Sequence, residues 1–306
     1  MIPTFSRLAE LRRVLDAVER ERRSVSAETE LVIVDDGSTD GTWGWLEKAA
    51  AQRSGWTVLR QQNAGPARAR NRGVGVASGE IVLFLGDDTE PQPGWLEEHL
   101  EEHRFHAGGG PLAVLGYTCF PMSPDSPFLR HVNEHGAQFG YLLIERPDRV
   151  PFNFFYTSNI SLPRGELVRL GGFREDFPAA AWEDIELAYR AVGEGLTIRY
   201  QPRARAIHHH RIRPRSFCRR QRTSGHSAAI FAGLHPELSH FLGVERVRAG
   251  EAGPTWRRWA LAALVELGEW LPGVVPDGVR RRFLDACYLR GLAEGLGRST
   301  GGSTAA

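Results

Sequence analysis

Short apolar runs alternate with amphipathic stretches along the first hundred residues. Leu31–Val34 is a short apolar run, and Thr57–Leu59 predicts another short strand. Ile81–Leu85 is apolar without alternation, which is typical of a strand buried on both faces. The stretches between them carry apolar residues three or four positions apart and predict helices. This alternation predicts an α/β fold with a Rossmann-like, mostly parallel central sheet and helices on both faces.

The chain beyond residue 105 has a different character. Residues 120–155 are rich in Pro, Asn, His and aromatic residues, a composition that often marks binding surface. From residue 211 onward the pattern is helical. We expect one domain over residues 1–215, with halves at 1–105 and 106–215, and a helical C-terminal extension over 216–298. The small polar residues 299–306 predict a disordered tail.

Composition and charge narrow the class of protein. The 306 residues are 42% hydrophobic and 25% charged, with a net charge of +1, as in an ordinary globular domain. The balanced charge gives no field that favours nucleic acid, so we expect no nucleic-acid partner. Residues 259–275 are too short and too charged to span a bilayer. The N-terminus does not resemble a signal peptide.

The three cysteines, Cys119, Cys218 and Cys287, are widely spaced and odd in number. They show no metal-ligand spacing, and we expect no disulfide framework. Free thiols fit a reducing compartment, so the expected location is the cytoplasm.

Two pairs of adjacent acids follow two of the predicted strands. Asp87–Asp88 come after Ile81–Leu85, and Asp35–Asp36 come after Leu31–Val34. Ligands of open α/β sheets bind outside the carboxyl ends of the strands, and Mg²⁺ uses one or two carboxylates together with substrate phosphates. The pairs therefore predict a metal–diphosphate site. Solvated loops or helix N-caps are the alternative, because Asp is common in both.

Over residues 1–215 the chain resembles the inverting family 2 glycosyltransferases, because several motifs occur in the family's order and spacing. These motifs are Met1–Arg7 (MIPTFSR), Asp35–Gly41 (DDGSTDG), Asn63–Gly73 (NAGPARARNRG), Gly86–Asp88 (GDD), Asn159–Arg164 (NISLPR), Gly171–Phe173 (GGF) and Trp182–Asp184 (WED). Each motif alone is weakly specific, whereas the ordered set is strong. Relatives usually have more apolar residues before Pro3, so either the true start lies upstream or the first strand is shortened here.

The resemblance implies a glycosyltransferase A-type fold, with a nucleotide-binding half at 1–105 and an acceptor-side half at 106–215. It implies a nucleotide-sugar donor, with a UDP- or dTDP-sugar favoured, and an inverting displacement at the anomeric carbon. The implied cofactor is Mn²⁺ or Mg²⁺, held by a DxD-type motif. The acceptor would be a glycan, a lipid-linked compound or a small molecule, in glycan, cell-surface polysaccharide or glycoconjugate synthesis.

The resemblance also assigns contacts to the nucleotide base. Pro3 and Phe5 would lie at the base, with the ring of Phe5 stacked on it. Many relatives have Tyr at the position of Phe5, so its hydroxyl contact would be absent. Asp36 would accept a hydrogen bond from the ring N–H of uracil or thymine, and Asp35 would hold the loop.

Four further residues acquire roles at the sugar and the phosphates. By resemblance, Arg70 and Asn71 would face the base or the phosphates, Asp87 would bond the ribose, and Asp88 would ligate the metal. The leaving diphosphate develops negative charge, and a divalent metal stabilises that charge without a proton.

Asp184 is the expected catalytic base, because the displacement needs a group that takes the proton of the acceptor. Glu183 would bond the acceptor or orient Asp184. The alternative is an acid pair at the start of a helix, where it interacts favourably with the dipole. The preceding Gly171–Phe173 loop and Trp182 favour catalysis.

The His208–His210 run lies 24 to 26 residues after Asp184, where similar family members place a metal-ligating histidine. In an extended segment His208 and His210 share one face and His209 takes the other. We favour His208 as the ligand, with His210 next. Imidazole suits Mn²⁺ better than Mg²⁺, and a simple polar run at a strand end is the alternative.

Two features of the C-terminal part allow more than one interpretation. Eight arginines between Arg203 and Arg222 fit contacts to a diphosphate or an anionic acceptor, a membrane-surface patch, or, for most of them, a solvated helix face. Residues 256–267 and 283–292 are predicted to form an amphipathic helical hairpin. We expect its apolar side to pack in the core or in a homodimer rather than to bind a membrane. The apolar residues of the first segment are Trp256, Trp259, Leu261, Leu264, Val265 and Leu267.

The sequence thus predicts a metal-dependent inverting glycosyltransferase, with peripheral contact to the inner face of a membrane left open. A sugar-nucleotide nucleotidyltransferase is one alternative, but the glycine-rich, Lys/Arg-containing loop of those enzymes is not found before residue 30. A non-catalytic sugar-nucleotide-binding protein is the other, and the intact acids at three sites argue against it.

Overall fold

The computed structural model describes residues 1–121, 126–210, 212–271 and 273–301. The strands are β1 (Ile2–Thr4), β2 (Leu31–Asp35), β3 (Trp56–Arg60), β4 (Ile81–Leu85), β5 (Thr89–Pro91), β6 (Leu112–Cys119), β7 (Asn159–Pro163) and β8 (Thr197–His208). The helices are α1 (Leu8–Ser24), α2 (Thr42–Ala50), α3 (Pro66–Val76), α4 (Trp95–Phe105), α5 (Pro127–Glu134), α6 (Arg164–Arg169), α7 (Glu183–Gly193), α8 (Pro214–Leu234), α9 (Val244–Arg248), α10 (Thr255–Trp270) and α11 (Asp277–Gly301).

The chain divides into two compact units. The first comprises Met1–Pro121, Phe139–Glu175 and Glu183–His210, and the second comprises the described residues of 122–138, 176–182 and 211–301. All eight strands belong to the first unit, whereas the described part of the second is helical. The described part of the last segment of the second unit begins at residue 212. The excursions at 122–138 and 176–182 were not expected from the sequence.

The first sheet is parallel, with the strand order β1–β2–β3. Strand β2 is buried along its whole length, which explains an apolar sequence without alternation. The terminal amine of Met1 donates to Leu83 O (2.8 Å), and Leu85 N donates to Met1 O (3.2 Å). Strand β4 therefore lies beside β1, and the short β1 connects the first sheet to the second.

The second sheet is mixed, with the strand order β4–β7–β6–β8–β5. Only β6 and β8 run parallel, and the other neighbours are antiparallel. The predicted α/β fold is confirmed, and its parallel character is found in the first sheet. Strand β7 is reached after a long segment that follows β6, and it pairs antiparallel with both β6 and β4.

A buried polar cluster fixes the centre of the second sheet. Asn159 Oδ1 accepts from Trp95 Nε1 (2.7 Å) and lies 2.9 Å from His99 Nε2, while its amide donates to Ala204 O (2.9 Å). A Cβ at position 116 would lie 2.3 Å from the Asn159 amide nitrogen, so Gly116 allows this close approach. Asn159 belongs to the acceptor-side motif, but the oxygen and the nitrogen of its side-chain amide both contact groups inside the protein.

Helices α8 and α11 pack closely in the second unit. A Cβ at Gly225 would lie 2.1 Å from Tyr288 O, and one at Gly291 would lie 1.9 Å from Arg222 O. The same pair of helices carries a disulfide between Cys218 and Cys287, with a Cα–Cα distance of 5.5 Å. The prediction of no disulfide is therefore wrong. The two cysteines are separated by 69 positions in the sequence, and only the packing of the two helices brings them together.

The predicted hairpin of α10 and α11 is present, since the two helices are in contact. The expectation of core packing is wrong for most of its residues. Val265 is buried, but Trp256, Trp259, Leu264 and Leu267 are exposed. Both sides of α10 are apolar, so the hydrophobic pattern alone did not reveal which side faces the unit.

Two further expectations concern the C-terminal tail and a membrane-spanning helix. The final helix α11 extends to Gly301, so the predicted tail at 299–306 overlaps it, and residues 302–306 lie outside the described part. Within that part no helix combines the length and the hydropathy needed to cross a bilayer.

The disulfide makes a prediction about stability. In protein purified without reductant, Cys218→Ser should lower the free energy of unfolding by about 4 kcal/mol, because the cross-link restricts the unfolded chain over a long loop. Urea denaturation followed by circular dichroism measures this. Cys119→Ser is the matched control, because Cys119 is a free cysteine. Equal midpoints with and without reductant in the parent protein would contradict the pairing.

Candidate active site

Four acids stand at the carboxyl ends of β2 and β4. Asp35 closes β2 and Asp36 follows it, while Asp87 and Asp88 lie in the turn after β4. All four are buried. A buried carboxylate needs hydrogen bonds or a nearby cation to remain charged, so the partners of each acid define the site.

Asp36 holds the loop that precedes α3. Its Oδ1 accepts from Gln61 Nε2 (2.7 Å) and Ala64 N (2.9 Å), and its Oδ2 accepts from Gly65 N (2.9 Å). A carboxylate has about four acceptor positions, so roughly one remains for a ligand. Holding a loop was the role that the resemblance gave to Asp35.

Asp35 retains unused acceptor capacity. Its Oδ1 accepts from Ser38 N (3.1 Å), and its Oδ2 lies 3.4 Å from Arg60 Nε. That Oδ2 atom is buried and has no hydrogen-bond partner among the described residues. Both acids of the first pair therefore shape the loops around the strand end.

Asp87 is joined to the first strand. Its Oδ2 accepts from Thr4 Oγ1 (2.9 Å), and its Oδ1 accepts from Arg7 Nη1 (3.2 Å). Burial raises the pKa of Asp87 to about 6, and the charge of Asp88 adds to this, while Arg7 and Thr4 act in the opposite direction. Thr4 O also accepts from Asp36 N (2.8 Å), so Thr4 links the two acid pairs.

Asp88 carries the strongest cationic surroundings of the site. Its Oδ2 accepts from Arg7 Nη1 in a short contact, and its Oδ1 lies 2.9 Å from His208 Nε2. His210 Nδ1 lies 3.8 Å from Oδ2. Burial works to raise the pKa of Asp88, but the hydrogen bond and charge of His208, with the charge of Arg7, hold it well below its usual range.

Strand pairing explains why His208 reaches Asp88. Strand β5 pairs antiparallel with β8, and Thr89 is the register partner of His208. The next residue, His209, points the other way, with its Nε2 2.7 Å from Glu90 Oε2. The alternation expected for the histidine run is thus observed, with His208 nearest to Asp88.

A buried ion pair joins α3 to the start of α7. Arg70 Nη1 donates to Glu183 Oε1 (2.7 Å), and the guanidinium lies over the ring of Phe173, 5.4 Å from its centroid. Burial raises the pKa of Glu183 to about 7, with a contribution from Asp184, whereas Arg70 lowers it. Arg70, for which a contact to the base or the phosphates is predicted, thus pairs with one of the two proposed catalytic acids.

Asn71 also turns to the acceptor-side half. Its amide donates to Phe173 O (2.8 Å) and to Glu175 Oε1 (3.0 Å), and its Oδ1 accepts from Phe173 N (2.8 Å). A Cβ at Gly172, whose φ is +73°, would lie 2.5 Å from Asn71 Oδ1. The Asn71 and Gly171–Phe173 motifs therefore contact each other, and a contact of Asn71 with the base or the phosphates stays a prediction.

Asp184 is half-buried in the first turn of α7. Its Oδ2 accepts from Thr157 N (3.2 Å) and Thr157 Oγ1 (3.1 Å). Ser158 follows Thr157 in the chain. Its backbone carbonyl accepts from Gly86 N (3.3 Å), which lies in the turn that carries Asp88. Asp36, Asp88 and Asp184, remote in the sequence, are thus connected through Thr4 and through the Thr157–Ser158 segment.

The remaining predicted residues lie on β1 and just after it. Pro3 pairs with Val34 in the sheet, and Phe5 is 47% exposed, so its ring is free to stack on a planar group. The sequence did not reveal the partners Thr4, Arg7 and Thr157. Arg7 and Thr4 lay within a recognised motif, but the contacts of Thr157 depend on tertiary structure alone.

Comparison with known proteins agrees with this geometry. Residues 1–156 match the family model described as Glycosyl transferase family 2, which is about half of the chain. The chain belongs to glycosyltransferase family 2.

Relatives of this family 2 glycosyltransferase have named activities. It is 30% identical over 224 residues to validoxylamine A glucosyltransferase of Streptomyces hygroscopicus subsp. jinggangensis, covering 64% of this chain and 51% of that protein. It is 26% identical over 253 residues to pre-mycofactocin glycosyltransferase of Mycobacterium tuberculosis, covering 78% and 48%. The chain thus spans about half the length of these relatives.

Solved structures support the glycosyltransferase A-type fold. The mannosyltransferase PcManGT from Pyrobaculum calidifontis, in complex with GDP-Man and Mn²⁺, has a TM-score of 0.59 at 21% identity, covering 96% of this chain and 85% of that one. S. aureus TarS 1–349 in complex with UDP-GlcNAc has a TM-score of 0.56 at 17% identity, covering 100% and 92%. At these identities the likeness concerns the fold alone.

The Arg70–Glu183 pair gives a prediction for stability. Arg70→Met should lower the free energy of unfolding by about 3–5 kcal/mol, because it leaves a buried carboxylate without its cation. The double variant Arg70→Met/Glu183→Met should recover most of that loss. Urea denaturation at pH 8, where Glu183 is ionised, measures both.

Arg68→Met is the matched control for this pair. Arg68 lies on the same helix and its Nε is 3.8 Å from Glu175 Oε2, with both side chains exposed, so its loss should cost about 0–1 kcal/mol. Equal losses for Arg68→Met and Arg70→Met would contradict the assignment of a buried, energetically important pair.

Proposed function

We propose that this glycosyltransferase transfers a sugar from a UDP- or dTDP-sugar to a hydroxyl acceptor, with inversion at the anomeric carbon and with the help of a divalent metal. The observation that supports the proposal is the juxtaposition of Asp88, in the turn after β4, and His208, at the end of β8. The turn with Asp88 also contacts Ser158, and the neighbouring Thr157 bonds Asp184, so a metal site and a candidate base would lie near one another.

The residues fit a divalent cation. Two ligands bound at about 2.1 Å and at right angles to one another lie about 3 Å apart, which matches the 2.9 Å between Asp88 Oδ1 and His208 Nε2. A carboxylate with an imidazole favours Mn²⁺ over Mg²⁺. When bound, the ion would neutralise charge on the leaving diphosphate.

Arg7 lies beside the carboxylates of the proposed metal site. Its guanidinium contacts both Asp87 and Asp88, yet 40% of the side chain remains exposed. A cation at Asp88 would compete with Arg7 for the carboxylate, and the freed guanidinium would suit a phosphate oxygen. Arg7 is therefore our additional candidate for a diphosphate contact.

The nucleotide would lie along the ends of β1 and β2. The exposed ring of Phe5 offers a stacking surface beside Pro3, Asp87 offers acceptors to a ribose hydroxyl, and Asp36 offers its remaining acceptor position to a base N–H. The preference for uracil or thymine rests on this last contact, because an acceptor at that point matches their ring N–H.

Asp184 is the proposed base. As the acceptor oxygen forms its bond to the anomeric carbon, the bond from that carbon to the diphosphate breaks, and the hydroxyl proton passes to Asp184. Thr157 holds Oδ2 with two hydrogen bonds, which orients the carboxylate. Glu183, fixed by Arg70, is proposed to position Asp184 rather than to take the proton itself.

The acceptor, the location and the partners are also proposals. A glycan, a lipid-linked compound or a small molecule would each supply the hydroxyl, in polysaccharide or glycoconjugate synthesis. A cytoplasmic location is proposed because of the donor, although the Cys218–Cys287 disulfide counts against a reducing compartment. Membrane contact or a homodimer would need an exposed apolar surface, and helix α10 carries one.

Metal binding is predicted to depend on Asp88 and His208. Asp88→Ala or His208→Ala should weaken Mn²⁺ affinity by about a hundredfold or more, since even an outer-shell partner is worth 10–100-fold. Mn²⁺ titration followed by electron paramagnetic resonance measures this. His209→Ala is the matched control, because that ring faces Glu90. Equal affinity in His208→Ala and His209→Ala would reject His208 as a ligand.

Asp184→Asn separates catalysis from donor binding. Hydrolysis of a UDP-sugar in the presence of Mn²⁺ should fall by about 10²- to 10⁴-fold, because water then lacks its general base. The thermal stabilisation by UDP-sugar and Mn²⁺ should persist. Asp148→Asn, at an exposed pair with Arg146, should leave both unchanged. Undiminished hydrolysis in Asp184→Asn would remove Asp184 from the proposed mechanism.

A further inference from the structure

Helix α10 in the second unit presents an apolar face to the outside. Positions 256, 259, 263, 267 and 270 recur every three or four residues and so lie on one side of the helix. All five are exposed, and the three that are tryptophan, Trp256, Trp259 and Trp270, are 66–83% exposed. Leu271 and Val274, just after the helix, are exposed as well.

The size of this face sets it apart from scattered surface apolar residues. With about 250 Å² for a whole tryptophan side chain, the three indoles alone expose roughly 500 Å². Exposed Leu264, Leu267 and Leu271 enlarge the surface further. Patches on monomeric proteins seldom exceed about 300–600 Å², and those that do usually bind something.

The opposite side of α10 is firmly anchored. Val265 and Gly268 are buried, and a Cβ at Gly268 would lie 2.9 Å from the Val275 side chain. Glu269 accepts from Ser126 Oγ (2.9 Å) and Phe128 N (2.8 Å) at the start of α5. The exposed face therefore has a fixed orientation in its unit, and the tryptophans cannot turn inward by rotation of the helix.

Arg257 stands at one edge of the face, and the Arg215–Glu266 ion pair stands at the other. Arg257 is exposed and stands seven residues before Leu264, on the same side of the helix. Arg215 is 83% exposed and its Nε lies 3.5 Å from Glu266 Oε1, and Glu266 stands seven residues after Trp259. Residues 211–301 contain 15 arginines and eight acidic residues, so this part of the chain is positively charged.

We propose that the Trp256–Trp259–Trp270 face of α10 docks on the surface of an anionic phospholipid bilayer. Indole rings prefer the membrane–water interface, and a helix with an apolar face bordered by arginines lies in the plane of that interface. Each arginine near an anionic surface adds about 1 kcal/mol of attraction. The helix lies on the membrane and does not cross it.

A second copy of the chain is a less suitable occupant. Two such faces in contact would bring two positively charged regions together, which opposes association. An anionic lipid surface instead complements the arginines and buries the indoles at once. The inference does not depend on the proposed transfer reaction, and it places the protein where membrane-bound acceptors would be within reach.

Vesicle flotation of the full chain tests the proposal. Vesicles of phosphatidylcholine with about one third phosphatidylglycerol should carry the protein to the top of a density gradient, and pure phosphatidylcholine or high salt should weaken binding. Trp259→Glu/Trp270→Glu should reduce the affinity for anionic vesicles by about tenfold or more. Arg257→Gln should reduce it by a smaller factor, near fivefold.

Phe105→Glu is the matched control, because Phe105 is 82% exposed on α4 in the other unit. This variant should bind vesicles as the parent protein does. Thermal unfolding of each variant checks that the exposed substitutions leave the fold intact. Absence of flotation with anionic vesicles would overturn the proposal. So would a concentration-dependent dimer in analytical ultracentrifugation that Trp259→Glu/Trp270→Glu abolishes while vesicle binding is unchanged.

Discussion

Carboxylates buried at the ends of the strands can stay ionised only beside fixed cations and N–H donors, and this requirement organises the first unit. Asp88 lies beside Arg7 and His208. Glu183, at the start of α7, pairs with Arg70, although burial raises the pKa of this acid to about 7. The partners of these acids come from distant segments of the chain, so the same contacts also draw β8, α3 and α7 towards the buried acids.

This charge balance gives physical meaning to the family motifs. The stretch with Arg70 and Asn71 and the Gly171–Phe173 stretch are about a hundred residues apart, yet Asn71 bonds the backbone of Phe173 in both directions. Gly172 leaves room for that amide. Thr157 similarly orients Asp184. Residues of distant motifs therefore contact one another within the protein.

The sequence predicted local features well and side-chain directions less well. Continuous apolar runs followed by acids located β2, β4 and their strand-end sites, because burial on both faces leaves a direct trace in the residue pattern. The direction of the Arg70 side chain depends on which distant acid is buried, and no local pattern encodes it. Likewise, α10 is apolar on two sides, and the Cys218–Cys287 pair depends on how α8 packs on α11.

The central claim is that Asp88 and His208 form a divalent-metal site at the strand ends. Anomalous diffraction at the manganese edge, from crystals grown with Mn²⁺ and UDP, tests it most directly. The account predicts one strong peak within about 2.3 Å of Asp88 Oδ1 and His208 Nε2, with the diphosphate beside it. A nucleotide bound with no manganese peak at these two side chains would contradict it.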